Sequence, residues 1–379
     1  MPHRVALLFE YGSVHGGENS LLATITPLQR EGWEFIAIAP PTGRLPSVLQ
    51  DHGLECLPFS MRNENGQRMP REEALTTLAE LVKSCDSTHL HANSLSMGRL
   101  TGALADDIAI PTTAHLRDII KLSRAAIADL NRNRRLIAVS NATRDFHIAQ
   151  GLDATRTITV HNGINVGQAV PDICETDDRQ AQPDLRGELG LPTDAKLLLT
   201  IGQIGLRKGL DVWSEAAVTA GQRDPRLNFV LVGERFSTKP ESVQFDQAIT
   251  DRFTDAGMAN RLHRLGYRDD VPRLMAAADL LVHAAKQEPF GRVLLEAAAC
   301  GLPIVATDVG GTAEMLTHRK TAWLVPAGDP QALADAIQFV LQDSDRLPRA
   351  ERAQQDIIDR FSIQSAAQGF AAALQFSRE

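Results

Sequence analysis

An α/β fold of two domains, each a parallel sheet covered by helices, is predicted by three observations. Short apolar runs alternate with amphipathic helical stretches along most of the 379 residues. A polar, proline-bearing stretch from 166 to 195 breaks that alternation, and beyond it the alternation starts again. Strands separated by helical segments imply right-handed crossovers and parallel pairing, and a chain of this length accommodates two cores.

In the first half, strands are predicted at Arg4 to Glu10, Glu34 to Ala39, Leu54 to Phe59, His89 to Ala92, Thr112 to Leu116, Leu136 to Ser140 and Thr157 to Val160. Helical patterns fall between them, the first from about Asn19, then Leu45 to Asp51, Glu72 to Lys83, Met97 to Asp106 and Asn141 to Gln150. The first strand runs into the loop Tyr11 to Glu18, which carries Gly16 and Gly17. Such a loop either cradles a phosphate with backbone N–H groups at a helix start or is a tight turn. Ligands of parallel sheets sit beyond the carboxyl ends of the strands, which draws attention to His115, with Arg117 and Asp118 just after it.

After the polar stretch, a strand from Leu197 to Gly202 leads into the loop Gln203 to Gly209 and a helix from Leu210 to about Gln222. Arg207 and Lys208 stand at the mouth of that helix, where two cations and free N–H groups suit a phosphate. Further strands are expected at Asn228 to Val232 and Leu262 to Leu265, with a helix between them near Ser242 to Ala256. The run Arg268 to Pro272 starts a second helix that leads to Ala278, so that Asp269 and Asp270 mark a helix start and Asp177 and Asp178 belong to the linker.

The most informative segment runs from His283 to Leu316. A strand end at Leu280 to Ala285 gives way to a loop holding Glu288, Pro289, Phe290 and Gly291, then to a helix from Arg292 to Cys300 that Gly301 terminates. A buried strand, Ile304 to Thr307, follows and enters the Gly310-Gly311 loop. Glu288 and Glu296 flank the N-terminus of the short helix. Carboxylates repel phosphate, so they make sense there as acceptors for pairs of neighbouring hydroxyls on a sugar or ribose, while the helix end and nearby cations hold the phosphates. The bland alternative for each is a solvated glutamate.

Composition narrows the function classes. Net charge is −8 and both halves are mildly acidic, which excludes a basic nucleic-acid binder. The four cysteines, Cys56, Cys85, Cys174 and Cys300, are scattered without a CxxC pair, which fits a reducing cytoplasm rather than a disulfide framework or a zinc site. The apolar run before Glu10 is too short for a signal peptide, so the expectation is a soluble cytoplasmic protein, with peripheral contact at the inner face of a membrane left open.

EPFGRVLLE, from Glu288 to Glu296, resembles the E-x7-E signature of retaining glycosyltransferase family 4, and CGLPIVATDVGGTAEML continues that family's pattern. The resemblance extends to LVGE, RLGYRDDVPRLMAAADLLV and WLVPAGDP. It implies a GT-B fold: Rossmann-like domains at 1–165 and 196–360 facing across a cleft, a linker at 166–195, and a last helix at 361–379 returning to the first domain. By resemblance, Glu288 contacts the transferred sugar, Glu296 the ribose, and His115 the donor sugar and its phosphate. Gly16 and Gly17 lie over the donor phosphates and the acceptor, and Lys208 neutralises the leaving diphosphate. Arg207, Gln203, Phe290, Gly291 and Gly311 complete the donor side. Gln203 departs from the family, which has an arginine there; either Arg207 supplies the second charge or the leaving group is held less strongly.

The implied activity is transfer of a sugar, with retention, from a nucleotide-diphosphate sugar, UDP or GDP foremost, to a sugar, lipid-linked or small-molecule acceptor in glycan, glycolipid or cell-envelope polysaccharide synthesis. No metal or other cofactor is expected. A GT-B nucleotide-sugar epimerase and a non-catalytic nucleotide-sugar-binding protein are the alternatives; Gln203 is the feature that supports the second.

Overall fold

The computed structural model describes residues 3–62, 66–165 and 185–375. Most of the linker expected at 166–195, with Cys174, Asp177 and Asp178, lies outside the described residues. The chain forms two compact units, Met1–Gly163 together with Phe361–Glu379, and Ile164–Arg360.

The first unit is built on a sheet of seven strands: β1 Arg4–Leu8, β2 Glu34–Ala39, β3 Cys56–Pro58, β4 His89–Ala92, β5 Thr112–Leu116, β6 Arg135–Ala138 and β7 Thr157–Thr159. Their order is β3-β2-β1-β4-β5-β6-β7, and all neighbours pair in parallel. Alternate residues of β1 feed opposite faces. Ala6 and Leu8 pack with Leu78, Val82 and Leu100 on one side. Val5 and Leu7 pack on the other with Leu21, Ile25 and Leu28 of helix Gly16–Arg30. Both faces are dry because parallel crossovers place helices on each, and a fully buried leucine or isoleucine contributes about 2 kcal/mol.

Helix Ile363–Leu374 belongs to this same unit, burying Ala367, Phe370, Ala371 and Leu374 beside helix Gly16–Arg30. The chain breaks from the preceding helix Arg346–Arg360 at Phe361, and Ser362 starts the new one by accepting the N–H of Ser365 at 3.1 Å.

The second unit repeats the plan with six strands: β8 Lys196–Ile201, β9 Leu227–Val232, β10 Leu262–Gly266, β11 Leu280–His283, β12 Ile304–Thr307 and β13 Trp323–Val325. They run in the order β10-β9-β8-β11-β12-β13, again parallel throughout. One face is centred on Trp213, Phe229 and Phe253, whose rings meet edge-on or tilted at 5.5 to 6.4 Å. Asp279, just before β11, joins the bases of two strands: it accepts the N–H of Leu197 at 2.8 Å and pairs with Arg186 and Lys196.

Both sheets therefore follow one rule, with a first strand in the middle and a reversal of winding between it and the fourth. That reversal, between β1 and β4 and between β8 and β11, leaves a crevice at the carboxyl ends of the strands where loops part to opposite faces. Among the described residues no helix is long and apolar enough to cross a membrane.

Two element expectations need correction. The first helix begins at Gly16 rather than Asn19, because His15 and Glu18 form a capping box in which Glu18 accepts the His15 N–H at 3.0 Å. Gly16 and Gly17 are thus the first helical turn and not a loop. A helix at Arg124–Asn131, absent from the predicted elements, follows β5; Ser123 caps it by accepting the N–H of Ala126.

Candidate functional site

In the second unit the loops after β8, β11 and β12 are stitched together at the winding reversal. After β8 the chain makes a 3-10 turn, Leu206–Lys208, and reaches Gly209 at φ 63°. A Cβ on Gly209 would stand 1.9 Å from the carbonyl oxygen of Ala284, so only glycine lets the two loops approach this closely. The N–H of Lys286 closes the same contact by donating to the Arg207 carbonyl at 2.9 Å. On the other side, the Gly311 N–H donates to the Glu288 carbonyl at 2.9 Å.

This framework brings Lys208 and Glu288 together. Lys208 Nζ donates to Glu288 Oε2 at 2.6 Å, and His283 Nε2, at the end of β11, lies 2.9 Å from the same oxygen. Oε1 takes no bond among the described residues. The Glu288 residue is 5% exposed. Burial alone would raise its pKa, but the Lys208 charge and the His283 hydrogen bond outweigh burial and hold the carboxyl well below the usual range. Burial moves His283 the other way from its usual value, down, with the charges of Lys208 and Arg207 adding to the effect against the pull of Glu288. His283 is therefore neutral and donates its Nε2–H to the carboxylate.

Gly291, at φ 96°, turns the chain into helix Arg292–Ala299 directly beside this cluster; a Cβ there would meet the Glu288 side chain at 3.2 Å. Glu296, one turn in, pairs with Arg292 at 2.6 Å. Arg207 and Gln203 are exposed on the loop that carries Lys208. Phe290, in the same loop as Glu288, is buried, at 1% exposed.

The first unit holds a second polar cluster, at its own winding reversal. Ser94, after β4, donates to Glu10 at 2.7 Å and caps helix Leu95–Leu104. Arg117, after β5, donates from Nε to Asn93 at 3.0 Å and from Nη1 to Asn162 at 3.2 Å. Its aliphatic stem lies 3.0 Å from where a Cβ of Gly17 would be, which explains a small residue at 17; Gly16 has open space around it. His115 is buried and joined to His91 at 2.7 Å, and His91 in turn reaches Thr113 at 2.8 Å. A shallow pocket beside it is lined by Ser20, Thr24, His115, Arg117, His161 and Asn162. Asp118 is exposed, and its carbonyl is taken by His147 at 2.8 Å.

The structure thus gathers Glu288, Lys208, Gly291, Gly311 and Glu296 in one unit and His115, Gly16 and Gly17 in the other. Sequence reasoning did not single out His283 or His91. Both are histidines at or near the carboxyl end of a parallel strand, the signal that drew attention to His115.

Two sheets of this order, each followed through the same reversal, define the GT-B class, and the chain aligns over nearly its full length with solved proteins of that class. Its residues 14–168 match the model described as Glycosyltransferase Family 4 and residues 181–357 the model described as Glycosyl transferases group 1. The chain belongs to the family-4 glycosyltransferases.

It is 29% identical over 223 residues to the lipopolysaccharide core biosynthesis mannosyltransferase LpsB of Rhizobium meliloti (strain 1021), covering 58% of this chain and 59% of LpsB. Over 179 residues it is 31% identical to the N-acetyl-alpha-D-glucosaminyl L-malate synthase of Bacillus anthracis, covering 47% and 44%. The chain spans about half the length of the curated relatives it matches. Among solved structures, Anabaena HepE in complex with UDP is similar with a TM-score of 0.82 and 25% identity, over 98% of this chain and 99% of that one.

Proposed function

We propose that the protein transfers a sugar from a nucleotide-diphosphate sugar to an acceptor hydroxyl, with retention at the anomeric carbon, in the assembly of a glycan, glycolipid or cell-envelope polysaccharide. The observation that carries this reading is the buried Lys208–Glu288–His283 cluster at the carboxyl end of the second sheet. Support also comes from relatives named for sugar transfer and from HepE, whose structure holds UDP.

The charges divide the work. Lys208 and Glu288 cancel and His283 is neutral, so an arriving diphosphate is not repelled by the carboxylate. The ammonium of Lys208 has three N–H groups, of which one is spent on Glu288, and the others suit phosphate oxygens. The N–H groups opening helix Arg292–Ala299, at Gly291 and beyond, add a preorganised positive end, and exposed Arg207 supplies a second cation in place of the family arginine that Gln203 replaces. Glu288 Oε1 accepts hydroxyls of the transferred sugar, and Glu296 accepts the pair on the ribose once Arg292 yields. As the sugar–phosphate bond breaks, the acceptor attacks on the face the phosphate vacates and the phosphate takes its proton. No protein carboxylate is assigned as nucleophile, and the reading needs no metal or other cofactor.

Ligand-observed NMR with UDP, GDP and ADP sugars tests the donor class. Binding of one nucleotide series, lost in Lys208→Ala, supports the proposal. Equal indifference to all three sinks it.

A further inference from the structure

Thr113, His91 and His115 form a chain of hydrogen bonds whose direction follows from what each end is able to donate. Thr113 Oγ1 lies 2.8 Å from His91 Nδ1, and His91 Nε2 lies 2.7 Å from His115 Nδ1. Thr113 and His91 are fully buried and His115 is 5% exposed. The ring of Phe370 stacks on His115 at 5.6 Å and meets His91 edge-on at 4.8 Å, so water has no place between the imidazoles.

Each imidazole N···N or N···O contact needs one hydrogen, and two arrangements supply it. In the first, the Thr113 hydroxyl donates to His91 Nδ1, His91 Nε2–H donates to His115 Nδ1, and His115 carries its own hydrogen on Nε2. In the second, every bond runs backwards: His115 donates to His91, His91 to Thr113, and His115 Nε2 is bare. The second arrangement obliges the Thr113 hydroxyl hydrogen to find another acceptor, and that hydroxyl has no other hydrogen-bond partner among the described residues. A buried donor without an acceptor is expensive, whereas a hydroxyl oxygen that only donates is not.

We infer that Thr113 and His91 are positioning residues that fix His115 in the neutral tautomer protonated on Nε2, presenting to the adjoining pocket a hydrogen-bond donor and not a base. The ring lines that pocket with Ser20, Thr24, Arg117 and Asn162. Nε2 is the ring nitrogen that His91 leaves unengaged. Protonating His115 would set its Nδ1–H against the Nε2–H of His91, so the relay also keeps the ring uncharged beside Arg117. The ligand class that this donor takes, a sugar hydroxyl or phosphate oxygen, rests on the proposed transferase reading. The tautomer itself does not.

The test is long-range ¹H–¹⁵N NMR on the full chain labelled at histidine, with His115→Asn and His91→Gln spectra assigning the two rings. Wild type is expected to show both rings protonated on Nε2. Thr113→Val keeps that state, since reversing the chain would bury an N–H against methyl groups. Thr113→Asp is expected to invert it, because a carboxylate accepts from His91 Nδ1 and so turns His115 into an Nδ1–H donor. Nε2 is then bare, and donor-sugar kcat/KM falls about tenfold, the worth of one hydrogen bond. Finding His115 protonated on Nδ1 in wild type overturns the inference even if Thr113→Asp does not fold. Inverted tautomers with unchanged kinetics would leave the relay standing and remove His115 from the transferase reading.

Discussion

Lys208 Nζ and Glu288 Oε2 stand 2.6 Å apart, joining the loop after β8 to the loop after β11. Their side chains are 17% and 6% exposed, so each is the other's principal countercharge in a place where water supplies little. Removing one partner strands the other. Glu288→Ala should therefore lose about 3 kcal/mol of stability, the order expected for breaking a buried pair, and abolish sugar transfer. Urea unfolding monitored with a nucleoside-diphosphate release assay checks both.

Lys208→Ala removes the cation proposed for the leaving diphosphate. Loss of one preorganised transition-state donor costs on the order of 10² to 10³ in rate, so kcat should fall by that factor. Unaltered kcat would exclude Lys208 from the leaving-group role.

Glu296→Gln should act on donor affinity. Its carboxylate is held by Arg292 in the free protein and is proposed to exchange that bond for two ribose hydroxyls. Weakening of about tenfold in the dissociation constant, with kcat little altered, is expected from loss of a charge-assisted bond. Calorimetric titration separates this from a fall in kcat alone, which would contradict a ribose contact.

Acid sensitivity follows from the buried histidines. Burial holds His91, His115 and His283 below their ordinary value near 6.5 in the folded chain. Their stabilisation of the neutral fold is thus fully present above about 6.5 and is lost as pH falls from there towards the folded values, at about 1.4 kcal/mol per pH unit for each proton bound only on unfolding. Glu288 adds its own loss further down: its folded pKa is also depressed, so its contribution begins to fade only below about 4.5. Urea midpoints measured between pH 7 and 5 should decline, and His91→Phe should reduce the proton uptake by about one.

The two-sheet plan was legible because strand and helix periodicities differ and because every crossover in a parallel sheet is made by a helix. Glu288, Lys208 and Gly291 were legible because they sit in short contiguous motifs at strand ends. What was hidden is pairing between distant loops. Nothing in the spacing of 208 and 288 says that their side chains meet. That contact depends on β8 and β11 being neighbours and on Gly209 admitting the Ala284 carbonyl. His91 escaped for a similar reason: its meaning comes from lying beside His115 on adjacent strands, with Leu90 opposite Thr112 in register.

The central claim is that the Lys208–Glu288 pair serves transfer from a nucleotide-diphosphate sugar. Steady-state release of nucleoside diphosphate from the donor that binds, compared for wild type, Lys208→Ala and Glu288→Gln with acceptor present, tests it most directly. The account predicts measurable wild-type turnover and a fall of at least about 10² in each variant, with Glu288→Gln still folded. Wild-type rates in either variant would contradict it.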